Sequence, residues 1–462
     1  MSRPRPTPPH SQPLNRLEPI GSTVTENYSP DSSREAGQST VGVGDRVTVS
    51  VDRPAHGGEG IAQLQDGRIV FVRGGLPGDV LRVEIIKVKK RFTAARIIDV
   101  VQSSQHRVEQ RCPAAARGAG CCDYGHVDPA SEDELKRAVL LDQLRRIGHI
   151  GTGDDLPAVA GIPLQPVTGW RTRVRLGVDA TGHAGTRIAG SHDLISIPCM
   201  QALPGMLDGI VGPGSGRFTP GAELIVAVDS TGDRHVVESR RAARGRRTEA
   251  IRRTLEGSGI CTEAVGGHTY HLPATAFWQA HQKAPETFTA TVRSWLTEAL
   301  DQATDTESPD SGAPVGWDLY GGAGLFAPTL LDVLRETTGG ADASVISVEQ
   351  SRMAAECGRA ALSDLPVEFR TGEVAAEVPQ LPAPRAVVLD PPRTGAGTET
   401  VSAIAAAHPA AVVHVGCDPA TFARDIAAWY SSGYHLSRLA VAGAFPGTHH
   451  LEAFGLLVPD AR

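Results

Sequence analysis

The last 190 or so residues alternate between apolar runs of strand length and helical patterns, and this regularity constrains the fold more than any other feature. Gly316-Trp-Asp-Leu-Tyr reads as a strand, followed by Gly-Gly-Ala-Gly and a helix through Leu334. Ser344–Glu349 is a second strand, with a helix to about Leu362. Val367-Glu-Phe-Arg, Ala386–Asp390 and Ala411-Val-Val-His-Val continue the series. Strand–helix repetition of this kind predicts an α/β fold with a doubly wound, Rossmann-like parallel sheet, whose strand tips carry ligands and chemistry. Ser437–Val441 and Leu451–Val458 are expected to close it as an antiparallel hairpin at one edge.

A chain of 462 residues exceeds one ordinary core, so further domains must precede this sheet. Residues 1–40 are rich in Pro, Ser, Thr and Asn, lack apolar periodicity and read as a disordered tail. From 41 to 102, short alternating segments separated by Gly turns predict a small OB-like β-barrel. It holds ten Lys and Arg against seven acids, with Lys87-Val-Lys-Lys-Arg-Phe concentrating positive charge beside an aromatic. That suits nucleic-acid backbone contact with base stacking, and equally a hairpin edge kept soluble by lysines. Residues 103–272 form a central α+β domain bearing Cys112, Cys121, Cys122 and Cys199. A helix is expected from Glu132 to Ile147 with Leu135, Val139, Leu140, Leu144 and Ile147 on one face, and a strand face carrying Arg171, Arg173 and Arg175. Seven arginines between 240 and 253, against Glu249 alone, suggest a phosphate-binding patch. Residues 273–462 carry the doubly wound sheet.

Net charge is −7, so any nucleic-acid contact must use such local patches. No apolar run approaches the roughly 20 residues of a membrane helix, and no secretory signal is visible at the N-terminus. Seven cysteines in a chain of this length do not resemble a disulfide framework. A reducing cytoplasm is the expected location, with neither a membrane nor a protein partner implied.

Chemistry concentrates at the strand tips. Asp318-Leu-Tyr-Gly-Gly-Ala-Gly lets backbone approach a ligand, and Glu349 at the next tip can accept both ribose hydroxyls. This pattern serves NAD and S-adenosylmethionine equally. Asp390-Pro-Pro-Arg at the fourth tip has no reason to exist in a dinucleotide domain, whereas a stiff acidic loop suits a methyltransferase acting on a nucleobase. Cys417 ends the next apolar run, and Glu452 follows 35 residues later. A lone thiol is more often structural. Beside these acids it reads as a nucleophile: a thiolate adding to uracil C6 makes C5 an enolate carbon able to take a methyl group, and a carboxylate then removes the C5 proton. The helix beginning near Pro419 stands where it would lower the thiol pKa.

These residues resemble the RNA uracil-C5 methyltransferases, in particular the ribosomal RNA branch with an N-terminal TRAM domain. The resemblance runs from about residue 41 to the end. It rests on Asp66-Gly-Arg-Ile-Val-Phe-Val with Leu76-Pro-Gly-Asp, Ala276-Phe-Trp-Gln-Ala-His, Asp318-Leu-Tyr-Gly-Gly-Ala-Gly-Leu-Phe and Val348-Glu. It continues with Leu389-Asp-Pro-Pro-Arg-Thr-Gly, Cys417-Asp-Pro-Ala-Thr-Phe-Ala-Arg-Asp and Phe445-Pro-Gly-Thr-His-His-Leu-Glu. It implies Cys417 as nucleophile, Glu452 as general base, and Gln279, Tyr320, Glu349 and Asp390 as contacts to S-adenosylmethionine. It implies structured RNA as partner, 23S ribosomal RNA favoured, gripped by the barrel and central domain. It also implies a [4Fe–4S] cluster on Cys112, Cys121, Cys122 and Cys199. Here the family spacing is altered, with two cysteines adjacent and the first set apart, so a zinc-type or lost site is the alternative. Gly443-Ala444 stands where the family usually has an acid. Three other readings remain: a transfer RNA uridine-C5 enzyme, a cytosine-C5 enzyme, and a silent RNA-binding relative. The cytosine enzymes place a cysteine inside the fourth-strand proline motif, where this chain has Pro392 and Arg393.

Overall fold

The computed structural model describes residues 41–151, 156–241, 250–303, 313–339 and 342–460. The expected tail, 1–40, lies outside them, as do Arg244, Arg246 and Arg247 of the basic run.

The first element is a closed barrel of five strands, Arg46–Pro54, Glu59–Gln63, Ile69–Arg73, Val80–Val88 and Phe92–Gln102, in spatial order one, two, three, five, four. Its alternation is the cause of its closure. Val49, Val51, Val70, Val72, Leu81, Val83 and Ile85 all turn inward and are buried. Lys89, Lys90 and Arg91 project from the turn between the last two strands, with Lys87 exposed near the end of the strand before it, beside Phe92, whose ring meets Phe71 edge-on at 5.6 Å. Asp79, of the Leu-Pro-Gly-Asp turn, is fully buried and ties the barrel to the segment after its last strand. It accepts from Leu76 N at 2.7 Å, from Ser104 N at 2.8 Å, and from Arg107 Nε at 3.0 Å and Nη2 at 2.5 Å. Burial pushes its pKa up, but the Arg107 guanidinium and the two amides more than offset this and hold it below the usual carboxylate value.

The central region contains a six-stranded antiparallel sheet, running in space from Ala250–Glu256 to Leu194–Ile195, and a separate hairpin of Ile260–Val265 and His268–Pro273. The three arginines of the expected strand face do not form an open cationic row. Arg173 pairs with buried Glu263 at 2.6 Å. Arg171 lies over Trp170, 5.3 Å from the ring centroid, and donates to Gln201 Oε1 at 3.1 Å. Arg175 alone is exposed. Arg240, Arg252 and Arg253 are exposed on the paired edge strands Arg234–Arg241 and Ala250–Glu256. The helix expected at 132–147 spans Pro129–Arg146, with Asp128 as its N-cap. It buries Leu135, Val139, Leu140 and Leu144 as expected. Ile147 lies past its end and is 41% exposed, so it does not belong to the packed face.

The final sheet has eight strands in the order Val367–Thr371, Ser344–Glu349, Val315–Leu319, Ala386–Leu389, Ala411–Gly416, Glu452–Pro459, Tyr434–Ala442 and Val159–Ile162. The first five are mutually parallel, as the strand–helix alternation requires. The C-terminal pair is antiparallel, but it is not the edge. Val159–Ile162 from the middle of the chain adds alongside Leu439–Ala442 in parallel, satisfying backbone groups that an edge strand would leave open. Inner strands are buried on both faces, which explains their unbroken apolar runs. Among the described residues no helix is long and apolar enough to cross a membrane.

Asp79→Ala leaves Arg107 and two amides without their acceptor. It is expected to cost about 3–5 kcal/mol in chemical denaturation, with Asp79→Asn costing less. A loss below about 1 kcal/mol would show that the clamp is not what joins barrel to chain.

Candidate active site

Every strand-tip residue singled out in the sequence lines one cavity of about 1020 Å³. Gln279, Tyr320, Glu349, Asp390, Cys417 and Glu452 share its wall. The glycine loop enters from the tip of Val315–Leu319. Tyr320 takes a left-handed conformation (φ 59°), and Gly321 then packs so tightly that a Cβ there would stand 2.3 Å from Ser347 Oγ and 2.4 Å from Asp318 Oδ2. Glycine is therefore required by contact. Glu349 is fixed at the neighbouring tip, accepting from Gly322 N at 3.0 Å and Ser351 N at 2.6 Å. Each oxygen keeps a lone pair for a ribose hydroxyl. Asp318 beneath the loop is buried, with Oδ2 accepting from Ser347 at 3.0 Å and Oδ1 unpartnered; burial, opposed by that hydrogen bond, raises its pKa to about 7.

The reactive end of the cavity is assembled by strand register. Ala411–Gly416 and Glu452–Pro459 pair antiparallel with Gly416 opposite Ala453. One step further, the same register sets Cys417 across from Glu452, so a thiol and a carboxylate face each other although 35 residues separate them. Asp390 arrives from the adjacent parallel strand, its amide bonded to Leu319 O at 3.3 Å. Burial raises Asp390 to about 7. Glu452 is raised well above the ordinary value, first by burial and then by Asp390, against the opposing pull of Arg393; its Oε2 has no hydrogen-bond partner. Burial, followed by Glu452 and Asp390, pushes the Cys417 thiol up to about 12, again with Arg393 opposing.

The expected help from the following helix does not reach the thiol in the free protein. Asp418 caps Pro419–Ser431, accepting from Ala420 N at 3.1 Å and Thr421 N at 3.0 Å, so a carboxylate already occupies the positive end. Asp418 also meets His56 of the barrel's first turn at 3.1 Å.

Several residues that sequence reading passed over hold this geometry. Asp425, fully buried on the same helix, accepts from Ala396 N at 2.7 Å and Gly397 N at 3.1 Å. Thr421 Oγ1 and Arg424 Nη2 donate to Arg393 O and Thr394 O. The helix that starts beside Cys417 thus grips the loop that carries Asp390 and Arg393. The loop before Glu452 is held from the central region. Glu132 accepts from Gly447 N at 2.8 and 3.0 Å, Lys136 Nζ donates to Phe445 O at 3.1 Å, and Asp123 pairs with His449 through backbone and ring. The helical period marks Glu132 and Lys136 as neighbours one turn apart, a signal present in the sequence. Asp425 closes the motif that begins at Cys417, whereas nothing local marks Asp123. Phe277, 79% exposed, stands on the cavity wall next to Gln279.

The sulfurs of Cys112, Cys121, Cys122 and Cys199 lie within 4.8 Å of one another, compatible with a metal centre. Cys121 also lines the cavity that holds Cys417, and Asp123, one residue beyond Cys122, is the partner of His449.

Comparison with known proteins accords with this geometry. The TRAM domain profile matches residues 41–98, and the tRNA (Uracil-5-)-methyltransferase profile matches residues 341–460. An uncharacterized RNA methyltransferase of Corynebacterium glutamicum is 51% identical over 416 residues, covering 90% of this chain and 97% of the relative. The 23S rRNA (uracil(1939)-C(5))-methyltransferase RlmD of Halomonas elongata is 30% identical over 448 residues, covering 88% of each. The crystal structure of the Pyrococcus abyssi tRNA (uracil-54, C5)-methyltransferase with S-adenosyl-L-homocysteine superposes with a TM-score of 0.61, covering 89% of this chain and all of that one; at 19% identity the likeness is of fold.

Alkylation of Cys417 in the free protein, followed by peptide mass spectrometry, is expected to be much slower at pH 8 than for an ordinary cysteine. The rate is expected to climb through pH 10 without levelling, because the thiolate fraction grows about tenfold per pH unit below the pKa. A plateau near pH 9 would mean that burial and the two acids do not raise the thiol.

Proposed function

The chain belongs to the S-adenosylmethionine-dependent RNA uracil-C5 methyltransferases, and from that membership we propose that it methylates a uridine of 23S ribosomal RNA, with Cys417 as nucleophile and Glu452 as general base. The observation that carries the catalytic assignment is the antiparallel register that faces Cys417 with Glu452 in a cavity they share with Asp390.

The steps follow from the charges of these residues. Cys417 must lose its proton, which costs most in the free protein, where the thiol stands near 12 beside two acids. Arg393 favours the anion. The thiolate forms a bond to C6 of a uracil turned out of its stack, and electron density moves onto C5 and the adjacent carbonyl. S-adenosylmethionine supplies a methyl group on a sulfonium cation, whose positive charge also favours the ionised forms of the acids around it. After C5 takes the methyl, Glu452 accepts the C5 proton and the sulfur–C6 bond breaks, restoring the thiolate and the aromatic ring. Burial raises the pKa of Glu452, which increases its basicity once it is ionised. Gln279, Tyr320, Glu349 and Asp390 are the cofactor contacts in this reading. Phe277 offers a stacking face for RNA bases, and the lysine-rich barrel turn and the exposed Arg240, Arg252 and Arg253 offer phosphate contacts.

Ribosomal RNA is favoured because the Halomonas 23S rRNA enzyme aligns with 88% of this chain, which also carries a TRAM domain at 41–98. The Pyrococcus likeness leaves a transfer RNA substrate as the second reading.

Cys417→Ala is expected to abolish turnover, lowering it by at least about 10⁴-fold in a tritium-release assay. Glu452→Gln should still form the bond to carbon and transfer the methyl, then stall, so a covalent protein–RNA band accumulates on denaturing gels. Wild-type protein given 5-fluorouridine RNA should stall in the same place, since fluorine cannot leave as a proton. Turnover by the alanine variant, or a glutamine variant that leaves no adduct, contradicts these roles. For the substrate, mass mapping of ribosomal and transfer RNA from cells with and without the gene is expected to show one 5-methyluridine lost from 23S RNA. Loss from transfer RNA instead would select the second reading.

A further inference from the structure

The sulfur geometry of the cysteine site is that of a single ion. Cys112 Sγ stands 3.8 Å from Cys121 Sγ and 3.9 Å from Cys199 Sγ, and Cys122 Sγ stands 3.5 Å from Cys199 Sγ. All four lie within 4.8 Å of one another. These are not disulfide distances, which are near 2.05 Å. Four thiolates bound to one zinc at about 2.3 Å occupy the corners of a tetrahedron whose edges are about 3.8 Å. A [4Fe–4S] cubane seats each thiolate on a different iron, with the inorganic core between them, and so spreads its cysteines farther apart than any pair here. The space enclosed by these sulfurs admits one ion and no cubane.

We propose that Cys112, Cys121, Cys122 and Cys199 bind one tetrahedral zinc ion in place of the iron–sulfur cluster that the family resemblance implies. The arrangement is built from three separate pieces of chain. Cys112 precedes the short helix Pro113–Ala116, with Ala116 N donating to its carbonyl at 2.9 Å. The Cys121–Cys122 pair is brought in beside a sheet edge by Gly120 N, which donates to Arg187 O at 2.9 Å. Cys199 comes from the loop after Leu194–Ile195. Cys112 and Cys122 are buried, and Ala115, Ile195, Ile197 and Met200 pack against the site, so thiols here gain little from water and much from a cation. Zinc on four thiolates carries two net negative charges. Arg171 lies close enough to Cys199, Cys122 and Cys121 to interact electrostatically with them, and Gln201 links it to the site by accepting from Arg171 and donating to Cys121 O at 2.9 Å. Zinc does not change oxidation state, so the site acts as a staple. It clamps the segment whose next residue, Asp123, holds His449 three positions before Glu452.

The test is elemental analysis of the full-length protein, produced in medium supplied with both iron and zinc and purified once in air and once anaerobically. About one zinc per chain, no iron and a colourless solution are expected from both preparations. Replacing zinc with cobalt should give the intense visible bands of a tetrahedral thiolate site. Cys199→Ser should lose the metal, and Cys357→Ser, which changes a thiol elsewhere, should keep it. Should Cys199→Ser fail to fold, chelation of the wild-type protein supplies the second measurement: zinc release with a lowered melting temperature that added zinc restores. Iron with a brown chromophore in the anaerobic preparation overturns the proposal, and so does a metal-free protein that zinc does not stabilise.

Discussion

One pairing organises the reactive end of this molecule: the last strand runs antiparallel into an otherwise parallel sheet beside the strand that ends at Cys417. Parallel neighbours bring strand tips to one edge, but each tip then begins its own loop and the tips do not face each other. Reversing one strand lets a residue that starts it, Glu452, lie across from a residue just past the end of its neighbour. Two acids and a thiol are thereby confined in a poorly solvated cavity with Arg393 as the cation that opposes their mutual repulsion. Burial raises the pKa of all three in the free protein, and the positive charge of the cofactor favours their ionised forms.

That arrangement is only as good as the loop that delivers Glu452, and the loop is anchored elsewhere. Phe445, Pro446, Gly447 and His449 all bond to residues between 123 and 201. Lys136 is completely buried and keeps a partner in Glu132, whose other contacts are Arg111 and the Gly447 amide. A buried cluster of this sort contributes less to net stability than to fixing one arrangement among several. The central region is therefore part of the framework of the cavity.

The sheet, the barrel and the residues that line the cavity were legible because each rests on a local signal. Period-two alternation closes the barrel, and unbroken apolar runs between helices make the parallel sheet. The tips of those strands then necessarily share an edge. Features that depend on distant segments escaped reading. Val159–Ile162 is four residues of ordinary sequence, and only the finished sheet shows that it covers the C-terminal pair. Arg173 reads as one of three arginines on a strand face until Glu263 is seen beside it. The helix after Cys417 looks able to activate the thiol, yet the Asp418 that makes the helix start there also occupies its positive end. In the last two cases a side chain had a second partner that the pattern did not reveal: Glu263 from a distant strand for Arg173, and the helix's own first amides for Asp418.

The contact between His56 and Asp418 bears on how freely such an enzyme can be re-addressed. A recognition module attached by a tether contributes only local concentration, and exchanging it redirects an unchanged catalyst. Here the first turn of the barrel touches the residue just after Cys417, and Gly58 beside it leaves no room for a Cβ against His449. The barrel and the cavity therefore share a physical boundary. A grafted barrel would have to reproduce the shape of that turn before its choice of RNA could matter, which ties the evolution of target preference in this architecture to the preservation of a seam.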